Sequence, residues 1–585
     1  MNNKKSPFEL LPNCIELEIG NDGYLPHVGD WERDGASIGR NTKLREVALN
    51  FSSGGEVAKE DLENFFHGLA ANRSIKILTF TDCTLFNGEI FSILIPFFNH
   101  NQSFGSLVIE GCEMRPGFPR KLASALGEFD SLKEFTLDPT PHKHYDSNAA
   151  RMLIESLAGH FSLRKLDMHG VKIGRNGFTA LSSLLQNPRS NLSVLNIGFS
   201  GIDDEAAVVL ATGLTENRML EELNLNGNRN ISQQGWQAIF GVLQIPSCRL
   251  ERLSLASNTI NDAAVIYLSN ALVGNSTLKT LSLRSNSITT WRAMFQFLRS
   301  PDSALEEFNL GRNRFNDDIM NSLANSLANN SKLRKLNLSG NRDVTSAGWQ
   351  AFSAVLLNPD SALESIGLSD NAINDDAFNH LTNSIASNNK LKELGLGYNH
   401  FVSAAGWEGL STILRNPNSA LEKLYLQGNS INDRTLTTLA NSLANNSKLI
   451  ELLFVNVRNI TADGWNAFSR VLNNTSDIIA TYHSNHTLEK LCDDDAEHRL
   501  PEDVRSNLRL NRENGNSQAA RLKIIETHFS GSDIGMQPFI DMELNALPYA
   551  VAWMGTDGIG EDGTWGEGFD LLYQFSCVML PTLLD

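Results

Sequence analysis

Cysteine is scarce: six in 585 residues, at positions 14, 83, 112, 248, 492 and 577, with no C-x-x-C among them. That spacing argues against a disulfide framework and a thiolate zinc site. It suits reduced thiols in a cytosolic or nuclear compartment. Positive charge is also short. Lys and Arg number 49 against 67 Asp and Glu, a net charge of −18. Nucleic acid or an anionic membrane is therefore disfavoured as the main ligand, and a neutral or basic protein surface is favoured. No run of about 18 apolar residues is present that could span a membrane. The opening Met-Asn-Asn-Lys-Lys-Ser-Pro-Phe-Glu has no apolar stretch of secretory-signal length. No Walker A loop occurs, so an attached nucleotide-binding switch domain is not expected.

What the chain has in abundance is a repeat. The pattern L-x-x-L-x-L-x-x-N reads Leu220-Glu-Glu-Leu223-Asn-Leu225-Asn-Gly-Asn228, and returns from Leu250, Leu278, Leu305, Leu333, Leu363, Leu391 and Leu421. Weaker copies start upstream at Leu192, Leu163, Leu132, Phe104, Ile75 and Leu44, with Cys14 as an irregular first turn and Leu449 as the last clear start. Cys83 and Cys112 replace the final Asn in two of them. Sixteen starts, 27 to 31 residues apart, define a solenoid, which offers a surface and not an enclosed pocket.

A second beat lies over the first. Phe178, Trp236, Trp349, Trp407 and Trp465 each follow a Gly, and Trp291 takes the same place after Thr290. Most are 58 residues apart, and the step from 236 to 291 is 55. Alternate turns therefore carry different outer segments, which points to tandem duplication of a two-turn unit.

Each turn divides into two parts. L-x-x-L-x-L has the period of a strand with one buried face. The following dozen residues have helical spacing: Trp349, Phe352, Val355 and Leu356 share one face. Thr345 or Ser346 can cap that helix, and Asn358-Pro359 ends it. The pairs Asp203-Asp204, Asp317-Asp318 and Asp375-Asp376 recur at helix starts, where they read as caps and not as catalytic or metal-binding carboxylates. The expected fold is α/β: a horseshoe with a parallel sheet on its concave face and helices on its convex face, because helices about 10 Å wide and strands about 4.8 Å apart cannot stack without curving. The Asn column (Asn228, Asn258, Asn286, Asn313, Asn341, Asn371, Asn399 and Asn429) should turn inward and bond the backbone of neighbouring turns.

With this consensus, the 28/30 alternation and a helical outer segment, residues 14–480 resemble the ribonuclease-inhibitor-like leucine-rich repeat family. The resemblance implies the horseshoe fold. It leaves function open, since such arrays serve inhibitors, immune receptors, GTPase activators and scaffolds. The expected organisation is an N-terminal cap with an irregular first repeat over 1–43, repeats over 44–487, and a helical C-terminal cap over 488–585. Within the cap, 502–512 and 516–529 read as helices, the second with Ala519, Leu522, Ile525 and Phe529 on one face. A solenoid's last turn exposes core and needs such a lid.

Two patterns are read as decoys. Gly558-Ile-Gly560-Glu-Asp-Gly563 lacks the preceding strand of a dinucleotide site, and His142-Lys-His144-Tyr-Asp146 falls in an enlarged loop beside Pro139 and Pro141. The N-x-S/T sequons, as at Asn275 and Asn329, are those expected by chance in an Asn- and Ser-rich chain. No constellation of catalytic groups stands apart from the repeat. No catalytic residue, metal ligand or cofactor is therefore expected.

Third, fifth and seventh consensus positions should face the concave side, with the eighth at the rim. Along these columns Arg284, Arg312, Tyr398, Tyr425 and Gln427 stand out from small polar neighbours, and Tyr and Arg dominate interface hot spots. The expected function is a non-catalytic scaffold or recognition protein, monomeric and cytoplasmic or nuclear, that binds another protein through this face and neither nucleic acid nor membrane. The alternatives are a regulator of a small GTPase, resembling the Ran GTPase-activating protein family, or a stoichiometric enzyme inhibitor. The tail here departs from that activator family: its acidic cluster is Asp493-Asp494-Asp495 with Glu497, followed by apolar segments.

Overall fold

The computed structural model describes residues 15–19, 31–50, 59–83, 88–112, 117–127, 131–139, 147–454, 460–492 and 494–528. The chain divides into two compact units, Met1–Asn313 and Arg314–Asp585. Both decoys, Gly558–Gly563 and 142–146, lie outside the described residues, as do the apolar stretches after 529.

In the first unit eleven parallel strands follow chain order: β1 (Glu16–Ile19), β2 (Glu46–Asn50), β3 (Ile77–Thr81), β4 (Ser106–Cys112), β5 (Glu134–Pro139), β6 (Lys165–Asp167), β7 (Val194–Asn196), β8 (Glu222–Asn224), β9 (Arg252–Ser254), β10 (Thr280–Ser282) and β11 (Glu307–Asn309). The second unit continues the arrangement with β12 (Lys335–Asn337), β13 (Ser365–Gly367), β14 (Glu393–Gly395), β15 (Lys423–Tyr425) and β16 (Glu451–Leu453). Helical segments alternate with the strands throughout. This is the β/α solenoid that the repeat implies.

Register explains the consensus. Fourth-position leucines pair with one another, as in Leu195↔Leu223, Leu223↔Leu253 and Leu394↔Leu424. All are buried, and they form one continuous column with the first- and sixth-position leucines. Third and fifth positions flank them on the opposite face and are partly exposed in most turns, as in β7, β8, β10, β11, β13 and β15, which the period of a strand requires.

The outer segments explain the second beat. Trp236, Trp291, Trp349 and Trp407 are fully buried. Helix Ser346–Leu357 starts from Thr345, whose side chain accepts from the Ala347 N–H. Where the spacing shortens to 55, the helix shrinks to Trp291–Met294 and a 3-10 turn, Phe295–Arg299, completes the outer segment.

The repeat reaches one step past Leu449. Leu488-Glu-Lys-Leu491 repeats the L-x-x-L pattern, Lys490 bridges Glu451 in parallel, and Leu452 N donates to Lys490 O at 2.9 Å. The repeat pattern thus continues into 488–491, where the cap was expected to begin, and Ile478–Tyr482 is a short helix. Helices Glu502–Glu513 and Asn516–His528 follow. The second buries Ala519, Ala520, Lys523 and Ile524, so a lysine and not Leu522 completes its inner face.

Candidate functional site

Three polar ladders fix where each surface residue sits. The first is the Asn column. Asn371 Nδ2 donates to Leu368 O at 2.9 Å in its own turn and to Leu338 O at 3.3 Å in the preceding one, while its Oδ1 accepts from Asn341 N at 2.6 Å. Asn399 repeats this with Leu396 O, Leu368 O and Asn371 N. Upstream, Cys112 Sγ takes the same place against Phe80 O at 3.4 Å.

The second ladder lies where each helix returns to a strand. Asn217, Asn275, Asn388 and Asn446 each donate to a carbonyl ending the previous helix, as Asn275 does to Leu243 O at 3.0 Å. Each then accepts from the two following residues, including the first consensus leucine. Asn275 is thus a buried structural residue, and its sequon is a by-product of the repeat.

The third ladder corrects the reading of the paired aspartates. Only Asp203 of the first pair is a cap, accepting from Ala206 N at 2.9 Å. In the later turns Asn316 and Asn374 cap the helices. Asp204, Asp317 and Asp375 sit one residue inside, where the carboxylate reaches the next turn. Asp317 binds Thr345 N and Oγ1 at 2.8 and 2.6 Å, and Asp375 binds Ser403 N and Oγ at 2.7 and 2.6 Å. The Gly before each Trp follows from this: a Cβ on Gly348 would lie 2.5 Å from Asp317 Oδ1.

Between strand and Asn column, the eighth position takes the left-handed backbone. Phe199, Ser257, Ser285, Arg312, Asp370 and Tyr398 all have φ between 55° and 58°, in line with Gly170, Gly227, Gly340 and Gly428. A side chain there costs on the order of 1 kcal/mol that glycine avoids. Bulky residues in this column carry backbone strain.

The expected contact residues fall into two groups. Arg284, half-buried, and Arg312, exposed, belong to the first unit. Tyr398, Tyr425 and Gln427 belong to the second and adjoin one another. Tyr398 is 52% exposed, its N–H donates to Gln427 O at 2.7 Å, and its ring covers Gly428, where a Cβ would lie 2.4 Å from it. Tyr425 ends β15 beside Gly395 of β14, which in turn faces Gly367 of β13. Its phenol is pushed up by burial and by Glu393 and Glu451, and it bonds Glu393.

Charges nearby are mutually engaged. Lys423 Nζ lies 3.0 Å from Glu451, which raises the lysine. Glu364 is held down by Lys392 at 3.1 Å and by Arg334. Arg342 pairs with Asp370.

Sequence reasoning passed over two aromatic residues. Phe199 is 49% exposed at the eighth position of the first unit, with its ring centroid 5.2 Å from that of His169. Phe401, three residues beyond Tyr398, is 69% exposed. The signal was available by aligning turns of the Trp type. The place of Phe401 is held elsewhere by Asn230, Asp343 and Asn459, and that of Tyr398 by Gly227 and Gly340.

Among the described residues no helix is long and apolar enough to cross a membrane, and no group of three or more His, Cys, Asp or Glu could hold a metal ion. A leucine-rich repeat family model matches residues 216–240 and 329–353, both in Trp-type turns. The chain is a leucine-rich-repeat protein. It is 28% identical over 299 residues to NACHT, LRR and PYD domains-containing protein 14 of Homo sapiens, covering 51% of this chain and 27% of that one. Human protein 12 of the same series is 27% identical over 296 residues, covering 50% and 28%. Human protein 5 is 27% identical over 267 residues, covering 45% and 22%. The alignments thus span about half of this leucine-rich-repeat chain and under a third of each relative.

Proposed function

We propose that this protein is a non-catalytic, monomeric recognition scaffold of the cytoplasm that binds another protein through the accessible face of its repeat strands. The observation that carries this reading is Tyr398. It is a large exposed ring at a position where the sister turns of Trp236 and Trp349 keep Gly227 and Gly340, and exposed tyrosines are frequent anchors of an interface. Similarity to proteins whose names include LRR domains supports an interaction role. The polar ladders already engage the repeated carboxylates and amides in structural bonds, so they do not offer a catalytic set.

Affinity capture from native lysate tests the proposal. Wild type is compared with Tyr398→Ala/Tyr425→Ala and, separately, Arg312→Ala, each checked for unchanged melting. A protein recovered by wild type and lost with the tyrosine pair supports the reading. Loss with Arg312→Ala instead would place contact on the first unit, and equal recovery throughout would move it to the helices or the tail. No stimulation of GTP hydrolysis is expected when micromolar protein is added to a panel of small GTPases.

A further inference from the structure

Resting on the recognition reading above, we propose that the turn from Leu391 docks a linear segment of a partner protein carrying an apolar side chain and, four or five residues from it, a lysine or arginine. The apolar half is built by Tyr398 and Phe401. Both are large, exposed rings in one turn, and both stand where sister turns of the same type carry small or polar residues: glycine for Tyr398, Asn230 and Asp343 for Phe401. His400 packs edge-on against Tyr398, with centroids 6.2 Å apart. Both departures from the internal consensus are to aromatics that stay exposed: Tyr398 lies over Gly428 and is still 52% exposed, and Phe401 is 69% exposed. Exposed aromatics grouped in this way are anchors for an apolar partner group.

The basic half is set by Glu393, five residues earlier on the accessible side of β14. Around it, carboxylates have found cations: Glu364 takes Lys392 and Arg334, and Glu451 takes Lys423. Glu393 has a phenol against it, that of Tyr425, and acts on the charge of Lys423, its register partner, whose ammonium bonds Glu451. Beside Glu393 the strand surface is low, since Gly395 and its register partner Gly367 carry no side chains. A partner ammonium or guanidinium can reach the carboxylate there with its stem along the Tyr425 ring. The chain's net charge of −18 favours the same sign of partner. The two points are five residues apart in this chain, Glu393 in β14 and Tyr398 in the turn that follows it, which sets the short spacing asked of the partner.

The test is selection of random twelve-residue peptides, displayed on phage, against the full chain, followed by titration of an enriched synthetic peptide by fluorescence anisotropy. The variants are Phe401→Asn and Tyr398→Gly, which install the residues of sister turns and so preserve the fold, and Glu393→Gln. The expected result is enrichment of peptides with a Lys or Arg four or five residues from a Leu, Phe, Tyr or Trp. Binding should weaken at least tenfold with Phe401→Asn and at least threefold with Glu393→Gln, and vanish when the basic residue becomes Glu. Enriched peptides without a basic residue that still respond to Phe401→Asn would overturn this occupant and leave recognition by the face intact. Peptides that ignore both Phe401→Asn and Glu393→Gln would overturn the site itself. So would self-association that Phe401→Asn abolishes, since the occupant would then be a second copy of this chain.

Discussion

A single asparagine in the ladder serves three backbone groups in two turns, so its removal should be felt well beyond one side chain. Replacing Asn371 by Ala removes one of two side-chain donors to Leu338 O and to Leu368 O, which Asn341 and Asn399 continue to serve, and takes away the Oδ1 acceptor of Asn341 N. Losing one buried acceptor costs roughly 1–3 kcal/mol, and that is the expected loss. Chemical denaturation of Asn371→Ala should show that loss, and a midpoint within error of wild type would refute the ladder's energetic role. At this scale the sequence was readable where one residue type recurs at one spacing. It was less readable where chemistry crosses between turns. One aspartate of each pair (Asp204, Asp317 and Asp375) was placed at the right helix but assigned to its own N-terminus. In fact its carboxylate serves the Ser or Thr of the next helix, and this contact also accounts for the glycine before Trp349 and Trp407. The role of Asn275 was hidden behind its sequon for the same reason, since the carbonyl it serves, Leu243 O, lies about thirty residues away.

At the scale of the element, each Trp-type helix is anchored by one indole. Trp349 is fully buried, and Trp349→Ala should cost on the order of 3–5 kcal/mol. Trp349→Phe should cost much less. The indole N–H has no hydrogen-bond partner, so phenylalanine abandons no bond, and Phe178 fills the equivalent place in an earlier turn. Thermal melts of the two variants check this, and equal losses would show that the indole's shape and not its apolar bulk is what matters. The C-terminal helices are the element where periodicity misled most. Their ends were foreseen to within a residue, but the inner face of the last contains Lys523. Its Nζ donates to Leu472 O at 2.7 Å and Asn485 O at 3.3 Å, completing the carbonyls that a further turn would have capped.

Burial pushes Lys523 down to about 7, and burial first, then the Lys523 charge, pushes His486 down to about 4. Unfolded lysine and histidine titrate near 10.4 and 6.5. In both windows, pH 4 to 6.5 and pH 7 to 10.4, the unfolded chain binds the proton that the folded chain refuses. Stability therefore rises with pH through each window, and the part owed to His486 is lost as pH falls from 6.5 toward 4. Lys523→Met should abolish the upper rise and leave a lower one. Melting temperatures of the two proteins from pH 4 to 10 would show it, and a difference between them that does not vary with pH would count against it.

For the whole molecule the consequence of repetition is that each turn is supported by its neighbours alone, so stability is a sum of local terms and cooperativity is limited. The chain resolves into units meeting at Asn313 and Arg314, shortly after the turn whose outer segment is a four-residue helix and a 3-10 turn in place of a full helix. That turn presents the least helix to its neighbours and is the place where propagation should falter. Tryptophans report on both units: Trp31, Trp236 and Trp291 in the first, and Trp349, Trp407, Trp465, Trp553 and Trp565 in the second. In variants that keep the tryptophans of one unit and carry Phe in the other, fluorescence should give two distinct urea midpoints, and circular dichroism of the wild type should be broader than either. A single shared midpoint would mean that the array unfolds as one cooperative body. The architecture was legible because sixteen turns repeat one solution to burying a leucine column. The proposed recognition surface was half legible, because a candidate contact residue in a repeat shows itself only as a departure from its sisters, and Phe401 departs at a position outside the strand columns.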